Sequence, residues 1–143
     1  MTFSIIFIMY HCSFSDTNGF FIKHVQSGMY VTDFSAFLPR PISLLLIRNC
    51  FDETTNFKFL QSGSIMKLIK KRCLVRQGNV NLLGLSYRNF SEECAAINAI
   101  TQTFWGGLFF SRYNKCVVAS EGPPFLELDS CKNEEDQRFN FGK

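Results

Sequence analysis

One short pattern occurs three times along this chain at a nearly constant interval. Each copy opens on a glycine, at Gly19-Phe20-Phe21, Gly63-Ser64-Ile65 and Gly106-Gly107-Leu108. A strand-like triplet follows eight or nine residues later, as Tyr30-Val31-Thr32, Cys73-Leu74-Val75 and Cys116-Val117-Val118. A leucine-rich run then ends in cysteine, at Cys50, Cys94 and Cys131. Each copy closes on a polar-x-aromatic step: Thr55-Asn56-Phe57, Gln102-Thr103-Phe104 and Gln137-Arg138-Phe139. Tyr30, Cys73 and Cys116 are spaced by 43 positions each.

A period of this length also suits propeller blades and helical solenoids, so the content of the repeat has to decide. Propeller blades carry Gly-His and Trp-Asp landmarks that are missing here, and three blades do not close a ring. Helical repeats show apolar residues three and four apart. The segments here are instead short, aromatic or β-branched, and broken by Gly, Pro and Asn. The reading is all-β with threefold internal symmetry. A single repeat cannot bury its own apolar face, so three must close around a common core. Phe57, Phe104 and Phe139 are expected to fill equivalent core places, which makes sense of 17 phenylalanines in 143 residues. The lone Trp105, which follows one of these steps, is expected to be partly buried.

The chain is long enough for one sizeable core, and 46% hydrophobic with 19% charged residues is ordinary globular usage. No apolar run approaches the roughly 18–20 residues of a membrane span. A net charge of +3 is too small to imply nucleic acid, and no nucleic-acid motif is present. Residues 1–15 stand outside the repeat. Their apolar run, Phe3 to Tyr10, and the small residues Ser13 and Ser15 before Asp16 read as a signal peptide, although no Lys or Arg precedes the run. The alternative is a hydrophobic first strand. Residues 16–143 then form a single domain. Asn89-Phe90-Ser91 is an N-glycosylation sequon, which fits an extracellular, secreted chain.

At its repeated motifs the chain resembles the ricin-type lectin domain, a β-trefoil. The family's second element is matched by Ser27-Gly28-Met29-Tyr30-Val31, Lys71-Arg72-Cys73-Leu74 and Asn114-Lys115-Cys116-Val117. Its last element is matched by Gln102-Thr103-Phe104 and Gln137-Arg138-Phe139, whereas Thr55-Asn56-Phe57 lacks the glutamine. The resemblance runs from Gly19 to Phe141. It implies disulfides Cys73–Cys94 and Cys116–Cys131, each closing a loop of roughly 15–20 residues and adding about 3 kcal/mol. Tyr30 stands where the first copy would carry a cysteine. Cys50 is therefore left to pair with Cys12, to stay free, or to link to another chain. No metal or other cofactor is implied, since there is no Cys-x-x-Cys or Cys/His cluster.

The resemblance also implies glycans or glycoproteins as partners, of the galactose or GalNAc type. The family holds sugar with an Asp two residues after the first cysteine, an aromatic near the second, and an Asn or Asp beside the last glutamine. Here Val75 and Val118 replace that Asp, and Thr32 does in the first copy with Asp33 beside it. Arg48, Glu92 and Asp129 occupy the platform places. Only Asp136-Gln137 keeps the polar pair. The sugar-binding candidates are therefore Glu121, Phe125, Asp136 and Gln137 in the third repeat, and Asp33, Phe37 and Asn56 in the first. A second class of function is a non-lectin trefoil that binds a protein or a sulfated glycan. Its basis is the basic run Lys67, Lys70, Lys71, Arg72 and Arg76. Catalysis is not expected, because His24 is alone and no nucleophile motif is present. A third possibility is a binding module detached from a larger enzyme, toxin or cell-surface protein.

Overall fold

The computed structural model describes residues 19–33, 44–47, 56–67, 71–77, 80–86, 94–119 and 125–142. In chain order the strands are β1 (Phe21–His24), β2 (Tyr30–Asp33), β3 (Leu44–Ile47), β4 (Phe57–Phe59), β5 (Ile65–Lys67) and β6 (Arg72–Arg76). They continue with β7 (Leu83–Leu85), β8 (Ile100–Gln102), β9 (Leu108–Phe110), β10 (Lys115–Ala119), β11 (Leu126–Asp129) and β12 (Phe139–Gly142). These pair into three four-stranded antiparallel sheets, ordered β12-β1-β2-β3, β4-β5-β6-β7 and β11-β10-β9-β8. The last strand completes the first sheet, so the two ends of the domain are tied by strand pairing.

The period read from the sequence is the period of the backbone. Lys23 pairs Tyr30, Met66 pairs Cys73 and Phe109 pairs Cys116, each pair 43 residues beyond the one before. The turn ahead of each pair carries one left-handed residue at the matching place: Gly28, Lys71 and Asn114, with φ of 73°, 55° and 54°. Glycine and asparagine take that conformation at low cost. The core is threefold as well. Ile22, Ile65 and Leu108 form one set of equivalent buried residues, and Val31, Leu74 and Val117 another. In the first copy Tyr30 stands in the cysteine's place, and its ring packs edge-on to Phe21 at 5.7 Å.

The third core set corrects the sequence reading. Phe57 and Phe139 are fully buried, but Phe104 is 98% exposed, and the equivalent place in the second copy is taken by Ile100. Backbone hydrogen bonds fix this register: Phe57 N–H donates to the carbonyl of Phe20, Ile100 to that of Gly63, and Phe139 to that of Gly106. Phe20, rather than Gly19, is thus the first copy's counterpart of Gly63. A short 3-10 turn at Ala96–Asn98 precedes Ile100 just as one at Glu135–Gln137 precedes Phe139. The genuine step is Asn98-Ala99-Ile100, with Asn98 buried. Gln102-Thr103-Phe104 imitates it four residues further on.

A fourth equivalent set is chemically mixed. His24, Lys67 and Phe110 are all buried and spaced by 43. Lys67 is only 1% exposed, so it cannot belong to a solvent-facing basic patch. It ends β5, opposite Phe57.

Candidate functional site

Of the described candidates, Phe125, Asp136 and Gln137 lie in the third copy, around β11 and the 3-10 turn before β12, and Asp33 and Asn56 in the first. The Cys116–Cys131 bond spans 15 residues and anchors the segment that follows β11. Gln137 locks that segment. Its side-chain nitrogen donates to the Ser130 carbonyl at 2.7 Å, and its side-chain oxygen accepts the Lys132 N–H at 2.9 Å. With 1% exposure and both ends of its amide used, Gln137 is a structural residue and not a sugar contact. Asn56 is buried too.

Asp136 differs. Its carbonyl accepts a hydrogen bond from Nε2 of His24 at 2.9 Å. A carbonyl only accepts, so the ring proton lies on Nε2. In the neutral ring, Nδ1 then takes the Ser27 hydroxyl proton at 2.8 Å, and the Ser27 oxygen accepts Met29 N–H. His24 thus ties the first hairpin to the 3-10 turn and sets where Asp136 sits, a role that a lone histidine in sequence does not announce. The Asp136 carboxylate is left with spare capacity. Its Oδ1 is enclosed, with no hydrogen-bond partner among the described residues. Nε of Arg138 is in the same condition, while the guanidinium's Nη2 donates to the carbonyl and side-chain oxygen of Asn133. An enclosed carboxylate oxygen without a donor is costly.

The other places of the family's pocket are filled differently. Val75 and Val118 are buried, so apolar side chains stand where a carboxylate would meet a ligand. Val118 pairs Glu127 across β10 and β11. Asp129 is exposed and accepts its neighbour's N–H, that of Ser130, at 2.7 Å. Phe125 is half-buried just before β11. Asp33 ends β2, paired with Leu44, and its side chain is not described. Glu121, Phe37, Asn89, Lys70, Cys12, Cys50 and residues 1–15 lie outside the described residues. Of the basic run, Lys71 is exposed and Arg72 half-buried. Arg76 donates to the Val80 carbonyl and stacks its guanidinium over Tyr113 at 4.9 Å. Trp105 is half-buried.

In the second copy Cys73–Cys94 spans 21 residues. Both disulfides are therefore present as the resemblance implied. No helix among the described residues is long and apolar enough to cross a membrane. Among the same residues no group of three or more His, Cys, Asp or Glu is placed to hold a metal ion.

Solved structures share this arrangement. The chain is similar to the mdaA-1 domain in solution, with TM-score 0.72 and 9% identity over 92% of this chain and 93% of that one. The designed threefold-symmetric protein ThreeFoil aligns with TM-score 0.70 and 10% identity, covering 89% and 99%. The fold is a β-trefoil. The C-half of an earthworm R-type lectin, solved in complex with GalNAc, aligns with TM-score 0.66 and 11% identity over 88% of this chain and 98% of its own. No protein-family model and no curated protein sequence matches the chain.

Proposed function

We propose that this trefoil is a secreted carbohydrate-binding module for galactose- or GalNAc-type glycans, and that it acts by binding rather than catalysis. The observation that carries the reading is Asp136, a half-buried carboxylate at the place where ricin-type lectins keep a polar contact to sugar. Its setting is rigid. His24 holds the backbone of Asp136, Gln137 holds the following chain, and the Cys116–Cys131 bond closes the loop. Similarity to lectin folds supports the class of ligand, and the two disulfides are compatible with an oxidising, extracellular setting. Val75 and Val118 fill the carboxylate places of the second and third copies, so in the third copy Asp136 is the carboxylate that remains.

A glycan-array screen of the refolded, oxidised protein at low and physiological salt tests the proposal. Salt-resistant binding to galactose- or GalNAc-terminated glycans, weakened in Asp136→Ala, is the expected result. Binding confined to sulfated glycans and abolished by salt would overturn it in favour of the basic hairpin, whose exposed charge is reduced by the burial of Lys67.

A further inference from the structure

The turn between β8 and β9 differs from its counterpart in a way the backbone does not require. In the third copy it is closed by Thr103 N–H to the Gly107 carbonyl at 2.8 Å, Gly106 N–H to the Thr103 carbonyl at 3.0 Å, and Gly107 N–H to Thr103 Oγ1 at 2.7 Å. The second copy makes the same turn, with Leu60 N–H to the Ser64 carbonyl and Gly63 N–H to the Leu60 carbonyl. There the tip residues are Gln61, Ser62 and Ser64. The two serines tie the turn to the chain after the disulfide: Ser62 donates to the Cys94 carbonyl at 2.7 Å and Ser64 to the Ala95 carbonyl at 3.0 Å.

In the third copy Phe104, Trp105 and Gly107 replace those three residues. The serine ties are gone, and Phe104 projects into solvent. The missing side chain of Gly107 is what accommodates the indole, since a Cβ there would lie 2.4–2.9 Å from the Trp105 benzo edge. Between the turn and the segment at Cys131, an open groove of about 450 Å³ is lined by Thr103, Trp105, Phe109, Asn114, Ser130 and Cys131. None of the six is ionisable, Cys131 being disulfide-bonded. The equivalents of Phe109 and Asn114 in the second copy are Met66 and Lys71, so the neutral, aromatic lining belongs to the third copy. The groove shares no residue with Asp136, Glu127 or Val118.

We infer that this groove is a saccharide site of its own, taking a neutral pyranose with Trp105 and Phe109 as apolar walls and Thr103, Asn114 and Ser130 as hydroxyl partners. A pyranose has an apolar C–H face and a rim of hydroxyls, and a wall of aromatic rings beside uncharged donors and acceptors matches both. The volume lies within the roughly 300–1,000 Å³ of small-molecule sites and suits one or two sugar rings. A carboxylated or sulfated glycan finds no cation in the lining. The inference rests on the carbohydrate-binding reading but not on the Asp136 pocket.

Trp105 is the single tryptophan of the chain, so its fluorescence reports on this groove alone. The oxidised full chain is titrated with GalNAc and with lactose, following Trp emission and, in parallel, heat by calorimetry. Asp136→Ala, Trp105→Ala and Asn114→Gly are compared. Glycine keeps the left-handed turn at position 114 and removes only the amide, so that variant tests the groove even if Trp105→Ala perturbs folding. The expected result is a saturable emission change whose affinity falls a few-fold in Asn114→Gly, with Trp105→Ala removing one part of the binding heat and Asp136→Ala removing another part while the emission change stays. Heat without any emission change, with all binding lost in Asp136→Ala, would overturn the groove and leave the carbohydrate-binding reading standing. Neither heat nor emission change with either sugar would overturn both.

Discussion

Truncating the aromatic of each supposed core step separates the two registers that the sequence allows. Phe139 is fully buried, stacks near the His24 ring at 5.1 Å between centroids, and sits among the residues of the shared core. Phe139→Ala therefore removes a whole ring from a place where three copies converge. Its expected cost is about 3–5 kcal/mol from lost transfer energy and the cavity left behind. Ile100→Ala, at the equivalent place in the second copy, is expected to cost about 2–5 kcal/mol. Phe104→Ala changes a side chain that touches almost nothing and should stay within about 0.5 kcal/mol. For a domain of this size each kcal/mol shifts Tm by roughly 2–4 °C, so Phe139→Ala falls by about 6–20 °C while Phe104→Ala barely moves. Urea unfolding of the oxidised protein, followed by circular dichroism, supplies the free energies, and a thermal scan supplies the shifts. A large loss in Phe104→Ala together with a neutral Ile100→Ala would refute the hydrogen-bond register and reinstate Gln102-Thr103-Phe104 as the core step.

Four further outcomes follow from single contacts. Gln137→Ala strands the Ser130 carbonyl and the Lys132 N–H at once and should cost about 2–3 kcal/mol in urea unfolding. Replacing Cys116 and Cys131 together by serine opens a 15-residue loop and is expected to lower stability by about 3 kcal/mol against the oxidised parent. Gly107→Ala drives a methyl into the indole edge, so the Trp105 emission maximum should shift to the red as the ring is pushed into water. Brief labelling of the native protein with an amine-reactive reagent should modify exposed Lys71 and spare buried Lys67. Equal labelling of the two would contradict the placement of Lys67 in the core.

The threefold architecture was legible because the repeat is written in residues that the backbone itself demands. Positions 28, 71 and 114 must all be left-handed, and the strand triplets two residues later carry the alternating apolar side chains of a half-buried strand. Both disulfides followed from the resemblance, whose two bridged positions carry cysteine in the second and third copies. The phase of the last step was not legible in the second copy. Its core residue is aliphatic, and a glutamine-x-phenylalanine four residues downstream offers a closer match to the motif than asparagine-x-isoleucine does. The distinguishing signal was the period itself: Ile100 lies 43 residues after Phe57, the spacing that also separates Tyr30, Cys73 and Cys116, whereas Phe104 lies 47 after it.

The same misphasing hid the surface that the third copy has elaborated. Once Phe104 is assigned to the core, Trp105 becomes an incidental neighbour, and Gly106-Gly107 reads only as the opening of a repeat. With the register corrected, Phe104, Trp105 and Gly107 align with Gln61, Ser62 and Ser64, and the difference between the copies becomes chemical rather than topological. Where one copy uses two serines to fasten its turn to the chain beyond Cys94, the other carries an indole, leaves Gly107 bare beside it and lines the groove with uncharged residues. Symmetry makes the second copy an internal control for the third. A turn that closes with the same backbone hydrogen bonds without aromatic residues has no backbone reason to carry two of them, one exposed and one half-buried, so the explanation has to be sought in what the turn contacts outside the chain.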